Sequence, residues 1–207
     1  MRKKYVITGV AMAAVVAGGG VYYAAGGPPF GKDGTISADQ VCSDFGSADA
    51  AAEQLNKLLP ASESYSVDSR KNLRAQTRDG FTSSCFISGD GKQVLSLVSE
   101  LRNAESLDEW VDHVSVGTDY LPKEETRKFG PGDHGLVSRK AASILVPCVS
   151  EKQDPRMPRN LGVSLRLREG TRMEGGDAIR AAAQELVTAA AKQAHEKAKC
   201  DVPLELS

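Results

Sequence analysis

The chain has 207 residues, 41% of them hydrophobic, 26% charged and 5% aromatic, a composition that excludes a collagenous, wholly disordered or many-span membrane protein. Its formal charge is −1, and setting aside Arg2, Lys3 and Lys4 leaves 23 basic against 27 acidic side chains, a net of −4. Such a balance lacks the clustered cations that displace counterions from nucleic acid, so no nucleic-acid partner is expected.

Residues 1–4 form a basic tip, and residues 5–25 carry no charged side chain. About 21 residues at 1.5 Å rise are long enough to cross roughly 30 Å of hydrocarbon. Leading cations stay cytoplasmic, so the expectation is a membrane contact through residues 5–25, as a single transmembrane anchor with everything after it outside. The competing reading is a cleaved signal segment, with Val15-Val16-Ala17 before Gly18 or Ala24-Ala25-Gly26 near the cut. No cysteine follows the apolar run closely, so a lipidated N-terminal cysteine is not on offer. GGPPFGKDGTIS opens a Gly- and Pro-rich stretch that cannot continue a helix. The expected organisation is a linker over 26–40, an extracytoplasmic α+β domain over 41–202 and a tail over 203–207.

Cys42, Cys85, Cys148 and Cys200 are widely spaced, with no C-x-x-C pair, which leaves neither a zinc knuckle nor a thioredoxin-like redox pair. Outside the cytoplasm, disulfides are the default for such a set. Three connectivities are available. Joining a helix end to a strand within each half favours Cys42 with Cys85 and Cys148 with Cys200, against the alternative of buried free thiols.

Within the domain, Ser47 caps an expected helix over 48–59 whose Ala51, Ala52, Leu55 and Leu58 fall at three-to-four spacing, with Pro60 beyond its end. An edge strand is expected near 65–68. Two β-prone runs, 81–88 and 92–101, flank Gly89-Asp90-Gly91, the signal for a hairpin carrying Cys85 on its first arm, with Leu95, Leu97 and Leu101 on one face of the second. Ser106-Leu107-Asp108-Glu109 matches a capping box, so a short helix burying Trp110 or Val111 should follow. Residues 117–135 read as a long polar loop. Strand character returns over 142–149, where Pro147 marks a sheet edge or bulge. A turn holding Pro155 and Pro158 leads to Leu161, Val163, Leu165 and Leu167 alternating with Gly162, Ser164, Arg166 and Arg168, which predicts one buried face and one wet face. Asp177 caps an expected Ala-rich helix over 178–199. Two strand-strand-helix units are suggested, around Cys85 and Cys148, and hairpins with helices on one face predict an α+β fold whose antiparallel sheet is built from hairpins.

Chemical motifs are sparse. Gly130-Pro131-Gly132-Asp133-His134-Gly135 fits G-x-G-x-x-G, but no buried strand leads into it and no helix pattern follows, so it reads as a surface turn and no cofactor is expected. His113, His134 and His195 lack partners at metal-ligand spacing; His195 and Cys200, five apart, cannot close a site, so no metal is expected. G-x-S-x-G, H-E-x-x-H and S-x-x-K are absent, so no catalytic residue is assigned. Asp133-His134 belongs to a triad only if a serine approaches in space.

The basic start, the Ala/Gly-rich apolar run, the Gly-Pro tether and the cysteines in VCSDFGS, SSCFIS, LVPCVSE and AKCDVP together resemble the uncharacterised membrane-anchored or exported proteins of high-GC Gram-positive bacteria. Some of these are similar in layout to the LpqN/PsbP-like α+β sandwich. The resemblance implies an antiparallel sheet with covering helices, and no catalytic residue. The function expected is a membrane-anchored extracytoplasmic binding or accessory protein of the cell envelope, meeting an envelope protein or a small ligand. The alternative is an envelope hydrolase with a site near Asp133 and His134.

Overall fold

The hairpin signalled by Gly89-Asp90-Gly91 forms around a two-residue turn, in which Asp90 and Gly91 both adopt positive φ, 50° and 76°. That geometry matches the right-handed twist of the strands it joins. Its arms are β2 (Thr82–Gly89) and β3 (Lys92–Asn103). The hairpin sits in a seven-stranded antiparallel sheet of order β1-β2-β3-β7-β6-β5-β4, completed by β1 (Tyr65–Lys71), β4 (Arg127–Phe129), β5 (Gly135–Val137), β6 (Ala141–Cys148) and β7 (Arg159–Leu167). Among the described residues, three α-helices accompany it: α1 (Ala48–Leu58), α2 (Leu107–Ser115) and α3 (Gly176–Ala198).

This computed structural model describes residues 34–71, 81–103, 106–115, 121, 122, 124–131, 134–148, 159–168, 172–204 and 206. The basic tip, the apolar segment 5–25, the linker as far as residue 33, Asp133 and the turn with Pro155 and Pro158 lie outside the described residues. Among the described residues, no helix is long and apolar enough to cross a membrane.

Strand register sorts the side chains into two faces, because neighbours along a strand point to opposite sides. On the inner face, Cys85, Leu97, Leu165, Ala142 and Val137 form one row across five strands, and Ile87, Leu95 and Leu167 form another. α3 covers this face with Ile179, Ala183, Leu186, Val187, Ala190 and Ala194, all buried, and α1 packs beside it. Small alanines let a long helix lie close to the sheet.

Both disulfides serve this side. Cys42 pairs with Cys85 and Cys148 with Cys200, and no free cysteine remains. The first ties the loop before α1 to β2; the second ties the segment after α3 to the end of β6. Next to the first, Asp44 is 4% exposed; its Oδ1 accepts from Ser83 Oγ at 2.7 Å and from Lys197 Nζ at 3.1 Å. A carboxylate so buried needs such a counter-charge, and the pair joins a 3-10 turn (Ser43–Phe45), β2 and the end of α3.

Several expectations are corrected. α2 packs on the opposite face, where Trp110 and Val114 meet Leu136, Ala141 and Leu145, so the helices do not share one face. The suggested repeat therefore extends to the two hairpins but not to their helices. For the same reason the non-leucine face of β7 is not simply wet: Gly162 and Ser164 are buried and Arg166 is partly so. The polar loop 117–135 contains β4, a three-residue strand too short to show a period. α3 begins after Gly175 (φ 88°), which takes the cap position expected for Asp177; Asp177 lies in its first turn instead. Folded chain also begins before residue 41: Gly34 N–H donates to Ser62 O, and Asn56 clasps both backbone groups of Ile36, which is 2% exposed. In the segment expected as a tail, Leu204 and Leu206 pack against the inner core.

The capping box is present as expected, with Glu109 N–H donating to Ser106 Oγ and Ser106 N–H to Glu109 Oε2. Pro147 is also explained. Leu145 N–H donates to His134 O on the β5 side, so position 147 turns its backbone the same way, past the end of β5. There the missing N–H of proline forfeits no ladder bond.

Candidate functional site

The strand β4 and strand β5 are the arms of a hairpin, and the G-x-G-x-x-G run is its connection. Phe129 pairs with Gly135 across it and lies over the glycine; a Cβ there would come within 2.6 Å of Phe129 Cε1. Gly130 has φ 78°. Both glycines are therefore accounted for by turn geometry and ring packing, and the run opens onto a strand, with no helix N-terminus at which a phosphate would sit.

Beside this turn runs a groove of about 440 Å³. Its walls are Gly130, Pro131 and His134 of the hairpin, Ile144–Pro147 of β6, which runs on past its last pairing with β5 at Ile144, and Val202, Pro203, Leu204 and Leu206 of the segment after α3. The third wall is held in place by the Cys148–Cys200 bridge at the end of β6. Among the described lining residues, every side chain is apolar except the exposed imidazole of His134.

His134 and His195 fall apart in space and in role. Of the two histidines whose side chains are described, His134 borders the groove. His195 is buried on α3, its Nε2 without a hydrogen-bond partner and its carbonyl accepting from Cys200 N–H, so it is part of the core. The side chain of His113 lies outside the described residues. Among the described residues, no group of three His, Cys, Asp or Glu side chains is placed to hold a metal ion.

Acyl or glycosyl transfer requires a nucleophile or a carboxylate within hydrogen-bond reach of the imidazole, and neither occurs among the described lining residues. An apolar cleft with one polar group that can donate or accept is instead the usual make-up of a recognition site, in which burial supplies affinity and the polar group fixes orientation.

Sequence reasoning pointed to His134 but not to its surroundings. The signal that locates the groove is the length mismatch between β5 and β6, invisible until the pairing is known, with Pro147 as its only trace in the sequence. No protein-family model, no curated protein and no solved structure matches the chain.

Proposed function

We propose that this chain is a membrane-anchored, extracytoplasmic binding or accessory protein of the cell envelope, held by residues 5–25, with a partner that is an envelope protein or a small ligand and not a nucleic acid. The observation that carries the binding role is the groove of apolar side chains around His134. The extracytoplasmic address is supported by the pairing of all four cysteines, since widely spaced thiols pair in oxidising compartments. The anchor is supported by the uncharged run after Arg2, Lys3 and Lys4.

Two experiments test this. Alkaline phosphatase fused after Ser207 is active if the domain is outside, and an inactive fusion overturns the address. A photocrosslinking residue in place of Leu204 forms a discrete adduct in intact membranes that is lost when His134→Asp puts a charge into the groove; an adduct indifferent to that change overturns the binding role.

One observation favours a second reading, an envelope hydrolase near Asp133 and His134: an exposed imidazole borders the groove. Hydrolysis of p-nitrophenyl acetate by the purified chain, lost in His134→Ala, would replace the binding reading with this one.

A further inference from the structure

We propose that this chain pairs with a second copy of itself through the open edge of β1, so that one antiparallel sheet continues across a two-fold axis at Ser69. The two edges of the sheet are unlike. At one end stands β4, three residues long; at the other stands β1 (Tyr65–Lys71), seven residues long and paired with β2 on one side only. A long edge strand presents a row of unpaired N–H and C=O groups, and natural sheets blunt such an edge with a proline, a bulge or a cover. β1 has no proline, and its register with β2 runs unbroken from Tyr65 opposite Gly89 to Lys71 opposite Ser83. Ser66, Asp68, Ser69 and Arg70 are exposed, so no described element covers it.

Which backbone groups face outward follows from the turn beside the strand. Asp90 N–H donates to Ser64 O, and positions 64 and 90 continue the register of β1 with β2, so the backbone of Ser64 faces β2. The direction alternates along an antiparallel strand. Ser66, Asp68 and Arg70 therefore also face β2, while Tyr65, Val67, Ser69 and Lys71 turn their N–H and C=O to the open side. A second β1 can bond to these groups only where odd-numbered residues oppose odd-numbered ones. Around an axis at Ser69, Ser69 meets its own copy and Val67 meets Lys71 of the second copy, and each pair exchanges two hydrogen bonds.

The charges choose among the allowed registers. Asp68 and Arg70 are both exposed and lie on the outer face, beside Phe86, with Arg70 5.4 Å from the centre of its ring. With the axis at Ser69, Asp68 of each copy faces Arg70 of the other, at the positions between hydrogen-bonded pairs where facing side chains come closest. With the axis at Asp68 two carboxylates would meet, and at Arg70 two guanidinium groups, and like charges directly opposite repel. With the axis at Val67 each carboxylate meets only Ser66. Charges placed merely to guard an edge would oppose every register; these oppose two and favour one. Within each strand Arg70 Nε already lies 2.8 Å from Asp68 Oδ2, but a guanidinium has five N–H donors and a carboxylate two oxygens, so on pairing the four charges form one network of alternating sign. The contact is the same patch on both copies and closes at two.

The test measures self-association of the full chain in a neutral detergent by sedimentation velocity over a range of concentrations. A monomer–dimer equilibrium is expected. Asp68→Arg alone, or Arg70→Asp alone, turns both attractive pairs into repulsive ones and should weaken the dimer about tenfold or more. The double exchange, Asp68→Arg with Arg70→Asp, restores opposite charges and should restore the dimer. Ser69→Pro removes the N–H at the axis without costing a bond to β2, and should abolish the dimer while thermal unfolding shows the monomer still folded. Should Ser69→Pro not fold, the charge exchange decides alone. A chain that stays monomeric near millimolar concentration, a dimer indifferent to both single reversals, or a folded double exchange that fails to restore it overturns the pairing.

Discussion

The two faces of the sheet are made by the same strands and yet are held by different physics. On the inner face, Leu95, Leu97, Val163 and Leu165 meet a 23-residue helix, and both disulfides anchor loops against that side. On the outer face, Ser96, Val98, Ser164 and Arg166 alternate with them and meet a nine-residue helix that buries Trp110 and Val114. Burial alone does not distinguish the faces, since Ser143 on the outer face is as inaccessible as the inner Leu97 and Ile144. The difference is what becomes of the space: close-packed carbon on one side, and a polar cavity on the other.

The sharpest test of that division is to cut the inner side. Replacing Cys42 and Cys85 together by alanine opens a link spanning 43 residues and should cost about 4 kcal/mol in the chain-entropy account, read from urea unfolding. Next, Leu165→Ala removes a fully buried side chain from the centre of the inner row and should cost about 3 kcal/mol. Its strand neighbour on the other face, Ser164→Ala, loses the hydrogen bond from Ser143 and should cost about 1 kcal/mol. Equal losses at 164 and 165 would erase the contrast between the faces.

How far this was legible in the sequence follows from the same contrast. Inner-face residues announce themselves through period-two leucines and valines, so the hairpin β2-β3, strand β7 and the buried stripe of α3 were all readable, together with the two cysteine pairs. The outer face was read as wet because Gly162, Ser164 and Arg166 look solvated in isolation. What covers them is a helix from elsewhere in the chain, and no local pattern reveals that α2 crosses to that side. β4 escaped for a different reason: three residues, Arg127-Lys128-Phe129, cannot display a period. At α3, Asp177 was the better cap by residue type, but Gly175 with φ 88° takes the turn that only glycine enters freely. The groove depends on where one strand outruns its neighbour, which is a property of pairing rather than of composition.

A loss between those of Leu165→Ala and Ser164→Ala is expected where the outer helix touches the sheet. Gly162→Ala drives a methyl group into the Trp110 ring and should cost about 2 kcal/mol, with a shift in tryptophan emission as the indole is displaced. If emission and stability both hold, the indole has room to move and does not press on Gly162.

The smallest effect belongs to neither face but to the rim where they meet. Asp177, in the first turn of α3, accepts from Arg180 at 2.6 Å and from Arg127 of β4 at 2.7 Å. The hydrogen bond from Arg180, followed by the charges of Arg127 and Arg180, holds its carboxyl below the ordinary value of 3.8. A carboxylate lowered on folding stabilises the native state at pH values above its unfolded value, and that contribution is lost as pH falls through the folded one. Because Asp177 is exposed, solvent and salt screen the contacts, and the contribution is small. Asp177→Asn should therefore lower the melting temperature slightly near neutral pH and low salt. The gap to the unmutated chain should narrow as salt is added, and close as the pH is taken well below 3.8. A gap that persisted at such a pH would show that Asp177 matters through its hydrogen-bond geometry at the start of α3 and not through its charge.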